Sequence, residues 1–229
     1  MRSSEVRFSM VRFINEKRLN NALGKIGLCN LGAFRIDDED RYLSGFSTLV
    51  LVGPDEPNFW KIFKCSYEFL NIKDDPLDVW SQRNISSIAE KFNAKPFFPF
   101  QNNPFLPFYS WALRSGESFV SPIKLLVHSK RGLFVSFRGA LAFKQHLPDS
   151  RNRILNYSPC TSCSAPCVTA CPAGALTKEK YDVEKCKDFV NRHSEINCKQ
   201  GCLVRRVCPV GKSRRFKEQA EFHMNAFLV

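Results

Sequence analysis

The chain has no apolar run approaching eighteen residues, so no segment reads as a membrane-spanning helix. Its opening, MRSSEVRFSMVRFINEKR, carries charges every few positions and no apolar stretch, which speaks against a secretory signal. Glu5 and Glu16 speak against an Arg-rich organelle presequence. Histidine is scarce. His128, His146, His193 and His223 show no metal-ligand spacing and read as surface or core residues. Acidic residues are outnumbered, 22 against 34 Lys and Arg, giving a formal charge of +12. What is present is ordinary for a globular protein: 229 residues, 44% hydrophobic, enough for one large domain or two small ones and for a real core. This excludes a disordered or fibrous chain. The 21 Phe point to a Phe-rich core or an apolar pocket.

Cysteine is the exception. Eight of ten fall between Pro159 and Lys212. With no signal segment the chain reads as cytoplasmic, where clustered cysteines bind metal more often than they form disulfides. An iron–sulfur cluster needs four soft thiolate donors, three of which a short loop can supply. The bacterial pattern is C-x2-C-x2-C-x3-C-P, its fourth Cys serving the other cluster. Here Cys160, Cys163, Cys167 and Cys171, followed by Pro172, form C-x2-C-x3-C-x3-C-P. The one extra residue falls in Ser164-Ala165-Pro166, small enough to loop out. By the same crossing, one cluster takes Cys160, Cys163, Cys167 and Cys208. The other takes Cys171, Cys186, Cys198 and Cys202, and Pro209 follows Cys208. Zinc ribbons prefer two separated C-x2-C pairs, and only Cys160/Cys163 is one. A single cluster and a zinc site remain the alternatives. Cys29 and Cys65 lie outside the window and read as small buried hydrophobes.

Along the chain, residues 15–27 read as a helix stopped by Gly24 and Gly27, and 28–36 as a strand. Asp37, Asp38, Glu39 and Asp40 read as a solvated acidic turn. Residues 47–52 (STLVLV) are a buried strand ended by Gly53-Pro54. One helix is expected over 58–71. A second starts at Pro76, with Asp75 placed to cap it. Residues 95–100 are held extended by prolines, and 109–115 form a brief helix closed by Gly116. Residues 123–128 and 133–143 read as two strands joined by a Lys130-Arg131-Gly132 turn. The fold class is α+β. Residues 1–145 form a body with a mixed sheet of four or five strands and three helices. Residues 146–229 form a two-cluster ferredoxin-like module, entered through a polar linker over 145–158 and ending in a basic helix over 212–227. Arg205, Arg206, Lys212, Arg214, Arg215 and Lys217 lie against the second cysteine set. Their field would favour a reduced cluster or dock an acidic partner or a phosphate backbone, and a solvated helix face is the plainer reading. Eight thiolates and two cores of charge 2+ together remove four units, so a loaded protein stays basic at about +8.

The stretches PCTSCSAPCVTACPAGALT, YDVEKC and CKQGCLVRRVCPVGK resemble the dicluster module at the C-terminal end of epoxyqueuosine reductases and reductive dehalogenases. SPIKLLVHSKRGLFVSFRGALAF resembles the strand-turn-strand that precedes the cysteines in epoxyqueuosine reductase. In layout the whole chain is similar to short bacterial 4Fe–4S dicluster proteins. The resemblance implies a body that binds a cobalamin, whose cobalt the clusters reduce. The family's catalytic acid is an Asp just ahead of the segment aligned with Pro104. No Asp or Glu occurs between Lys95 and Gly116, and Gln101, Asn102 and Asn103 stand in that place, so no catalytic residue is assigned. Two readings of function follow. One is a carrier of two 4Fe–4S clusters that passes single electrons to a protein partner with an acidic surface. The other is a corrinoid-dependent reductase, an iron–sulfur oxidoreductase whose pocket would be walled by residues 96–111. RNA binding rests on charge alone.

Overall fold

A computed structural model of the chain describes residues 14–37, 40–146, 157–193, 196–211 and 216–228. The N-terminal stretch, most of the expected linker and Lys212, Arg214 and Arg215 of the basic segment lie outside the described residues. Among the described residues no helix is long and apolar enough to cross a membrane.

The run STLVLV organises the body because it is buried on both faces. Strand β2 (Thr48–Pro54) is buried at every position. It lies between β1 (Leu28–Arg35) and β6 (Gly139–Phe143), and β3 (Lys95–Phe97) pairs with the far edge of β6. Side chains alternate across a strand. Val50 and Val52 therefore face one core, with Leu19 and Leu23 of α1 (Glu16–Lys25) and Phe59, Trp60, Trp80 and Ile85. Leu49 and Leu51 face another, with Phe34, Leu43, Phe97, Phe108 and Trp111. The class is α+β as expected, but the sheet is not mixed: all three pairings are antiparallel. The body carries more elements than expected, six strands and five helices among the described residues.

The single helix over 58–71 is two, α2 (Asn58–Phe63) and α3 (Tyr67–Asn71). Ser66 starts the second by accepting from Phe69 N at 3.3 Å. The break packs Phe63 and Phe69 edge to face, centroids 5.3 Å apart. It also turns the buried Glu68 carboxylate onto Arg83 of α4 (Pro76–Phe92), at 2.5 and 3.1 Å. That guanidinium holds Glu68 below the ordinary carboxylate range. Asp75 does not cap α4. It sits left-handed (φ 46°) with no side-chain bond to the helix, and Pro76 opens the first turn.

The expected strand-turn-strand over 123–143 is also divided. Strand β5 (Leu126–His128) pairs with β4 (Ser118–Val120), not with β6. Two cores compete for this stretch. Ile123, Val127 and Leu133 pack with Cys167 and Cys208, whereas Leu141 and Phe143 belong to the main sheet. The chain therefore leaves one core at Leu133 and rejoins the other at Gly139.

The acidic turn is not merely solvated. The side chain of Asp40 is 6% exposed and accepts from Trp111 Nε1 at 2.9 Å and Arg114 Nη1 at 2.7 Å, both on α5 (Phe108–Arg114). Asp37 accepts from the same guanidinium at 2.9 Å. Removing the Asp40 carboxylate strands a buried indole N–H and frees a half-buried cation. Asp40→Ala should therefore cost about 2–3 kcal/mol in urea unfolding. A loss below about 0.5 kcal/mol would return the turn to the solvated reading.

Candidate metal centre

Each cysteine of the window is placed by a short local device. Ala165 adopts the left-handed region (φ 53°) and so absorbs the extra residue of the first run. The 3-10 turn Pro166–Val168 then presents Cys167 inward, where it is buried. Helix α6 (Val183–Arg192) is capped by Asp182, which accepts from Lys185 N at 3.0 Å, and carries Cys186. The 3-10 turn Asn197–Gln200 carries Cys198. Cys202 stands at the start of α7 (Leu203–Arg206), and Cys208 follows its end.

These devices gather the eight thiols into two groups. Cys160, Cys163, Cys167 and Cys208 line one cavity of about 20 Å³, so Cys208 joins the group from which it is farthest in sequence. Burial raises the pKa of Cys160 despite a hydrogen bond with Ser158, and the charges of Cys163 and Cys208 add to the rise. Burial likewise raises Cys167, helped by Cys160 and Cys208. In the second group burial raises Cys186, against a hydrogen bond from Tyr181, and Cys202 and Cys171 add to it. Burial also raises Cys198, together with Cys202, Cys186 and Cys171. The charge of Cys171 is thus felt by Cys186 and Cys198 of the later set, while its side chain packs against the apolar cluster that holds Cys167 and Cys208. Donors point at several sulfurs: Ala165 N–H at Cys163 (3.4 Å), Leu203 N–H at Cys198 and the Tyr181 hydroxyl at Cys186.

A lone zinc would draw four sulfurs to about 2.3 Å from one point. Among the described residues no three His, Cys, Asp or Glu side chains converge in that way. The first group lines a small cavity instead, and of the second only Cys186 and Cys202 line a cleft. Four soft donors around one cavity, three of the window's eight thiols buried and N–H or O–H groups aimed at several sulfurs, make a donor set of the kind a four-iron cluster uses.

The body presses on both groups. Near the first, His128 N donates to Gly132 O at 3.0 Å and Gly132 N to His128 O at 2.9 Å, closing a tight loop. Gly132 has φ +59°, and a Cβ there would lie 2.1 Å from Val210 O and 3.0 Å from Cys208 Sγ. The His128 imidazole locks this loop to β1. Its Nδ1 accepts from Lys130 N and Arg131 N, so Nε2 carries the proton and donates to Leu31 O at 3.0 Å. At the second group, α8 (Lys217–Leu228) is wedged between body and turn. Trp60 Nε1 donates to Glu218 at 3.0 Å, and Phe222 stacks among Trp60, Phe63 and Phe69. A Cβ on Gly201 would lie 2.8 Å from Ala220 Cβ of that helix.

The described part of α8 begins at Lys217 and carries Glu218 and Glu221 beside that single Lys; the basic start of the expected helix, 212–215, lies outside the described residues. Of the remaining basic residues, Arg206 is exposed and Arg205 is half-buried, donating to Leu133 O at 3.2 Å. His128 and Cys29 are tied into the body, Cys29 beside Arg131 Nη2 at 3.3 Å. Cys65 is exposed and not the buried hydrophobe expected, because it falls on the turn between α2 and α3. In the segment 96–111, Phe97, Phe108 and Trp111 belong to the core. Sequence reasoning passed over Tyr181, Gly132 and Gly201. The first sits five residues before a cysteine, and nothing in the string marks it as a partner of sulfur.

No protein-family model matches this chain, and no curated protein does.

Two tests follow from the brace at Gly132. Gly132→Ala should push residues 208–210 outward and lower bound iron from about eight to about four per chain, sparing the second group. Undiminished iron would show that the loop does not position Cys208. Burial, partly opposed by the Leu31 carbonyl, holds the His128 pKa below its ordinary 6.5. An unfolded chain takes up a proton below 6.5 that the folded chain refuses. The contribution of His128 is thus complete above pH 6.5 and lost as pH falls through the depressed folded value. The urea-midpoint gap between the protein and His128→Gln should narrow from about pH 7 to pH 5, and a pH-independent gap would contradict it.

Proposed function

We propose that the two cysteine groups hold two 4Fe–4S clusters and that the chain passes single electrons between them and a protein partner. One observation supports this reading: Cys208 lines one cavity with Cys160, Cys163 and Cys167, the crossing that the cysteine spacing predicts. The window holds only one C-x2-C pair, Cys160/Cys163, and its cysteine runs end in C-P, a spacing that favours clusters over zinc. The crossing suits paired cubanes, because it ties the two centres into one unit with a short gap for an electron to cross. The C-terminal segment is then a two-cluster ferredoxin-like module.

When bound, each cluster supplies a site that takes up and gives back one electron. The chain's own residues do the rest. Burial of Cys167, Cys198 and Cys208 excludes water, and the donors to Cys163, Cys186 and Cys198 stabilise thiolate over thiol. The excess of Lys and Arg favours a partner with an acidic face, and eight thiols without disulfides suit the cytoplasm.

Anaerobic purification should give a brown protein with about eight iron and eight sulfide per chain. Cys208→Ala and Cys171→Ala should each remove about four of each, and opposite clusters should survive in the two variants. Zinc without sulfide would overturn the reading. Loss of the same cluster in both variants would overturn the crossing.

A further inference from the structure

The two cysteine groups border very different spaces. The first group's cavity is about 20 Å³ and is lined by all four of its thiols. A cleft of about 360 Å³ opens beside the second group, and of that group only Cys186 and Cys202 line it. Two clusters of one kind need equal room. The second cleft is more than ten times larger than the first group's cavity, and Cys171 and Cys198 do not line it. Its size falls within the range of small-molecule sites, roughly 300–1,000 Å³.

The walls come from separate parts of the chain: Phe134 and Ser136 from the body, Tyr181 ahead of α6, Arg205 of α7, and Met224 and Phe227 of α8. Tyr181 and Phe227 are stacked at 17°, forming a flat aromatic side. Arg205 gives one N–H to Leu133 O, and no carboxylate among the described residues pairs with it. A guanidinium has five N–H donors and no acceptor. Mostly apolar walls with a few donors select a flat conjugated ring that carries acceptor oxygens.

We propose that this cleft is a binding site for a planar conjugated carbonyl compound, of the class of quinones and flavin rings, with a carbonyl oxygen on Arg205 and the ring against the aromatic side. Binding is a property of the fold. Only its use as a place of electron exchange rests on the clusters.

The probe is 2,3-dimethyl-1,4-naphthoquinone, whose substituted ring gives the exposed Cys65 no position to add to. Calorimetric titration of the anaerobically purified protein should show saturable one-to-one binding. Met224→Trp and Leu125→Trp fill the cleft from different walls, and each should weaken binding about tenfold or more with iron content unchanged. Arg205→Gln should weaken the quinone several-fold but leave 2,3-dimethylnaphthalene, which has no carbonyl, unaffected. Absence of quinone binding in iron-replete protein would overturn the proposal. So would binding that survives both Trp variants, since it would lie elsewhere. Iron and sulfide are assayed on the same sample, so a missing cluster counts against the electron-transfer reading and a missing isotherm against the cleft.

Discussion

The structure of the C-terminal segment turns on one constraint: two cysteines must each leave the stretch of chain that presents them and reach the other group. Cys208 ends the second run yet lines one cavity with Cys160, Cys163 and Cys167, and Cys171 ends the first run yet its charge acts on Cys186 and Cys198. Nothing in local structure demands this. A 3-10 turn could present three sulfurs and stop. The exchange makes each group incomplete without the other, so neither can assemble on its own stretch. A proline after each exchanged cysteine, Pro172 and Pro209, keeps the chain from continuing any helix through the crossing.

A segment built this way has little core of its own, and the body supplies the remainder. Phe119, Ile123, Val127 and Leu133 come from the N-terminal side of residue 145 and pack in the same cluster as Cys167 and Cys208. The converse holds for α8, which follows the cysteines in sequence but sets Phe222 among the aromatics of α2 and α3. Each side thus lends apolar surface to the other, and at the Gly132 contact with Val210 only glycine fits; within the C-terminal segment Gly201 allows a similar approach to Ala220. This explains the high Phe count better than a pocket does. The rings of Phe59, Phe63, Phe69 and Phe222 form one edge-to-face group with Trp60 and Trp80 that anchors the terminal helix.

What the string of residues makes legible follows from how local each cause is. The buried strand over 48–54 declares itself because residues 49–52 are a run of Leu and Val ended by Gly53-Pro54, and the helix at 16–25 because Asn15 and Leu19/Leu23 stand at the right offsets. The cysteine groups are legible in spacing because their turns are short. The errors have distant causes. The break at Ser66 answers to Arg83, fifteen residues beyond Glu68. The tie on Asp40 comes from α5, more than seventy residues away. The division of 123–143 depends on which of two cores each apolar residue joins, which periodicity does not encode.

The division of labour between halves also bears on how electrons would travel. Five of the eight cysteines are half-buried and three are buried, so both groups lie beneath a thin cover of their own turns. An electron under the proposed reading need not pass through the sheet, and the aromatic core behind α8 serves as a brace. The two ends of such a path are not alike. The first group is walled by prolines and by Val127, Leu133 and Val210, with room for little besides the cluster itself. The second borders an open cleft with a guanidinium and aromatic faces. Burial without nearby charge destabilises the more negative, reduced state of a cluster, and a neighbouring guanidinium stabilises it. The asymmetry therefore favours electrons resting at the second group. Under the proposed reading, it makes the α7–α8 side of the molecule the side for exchange with other molecules.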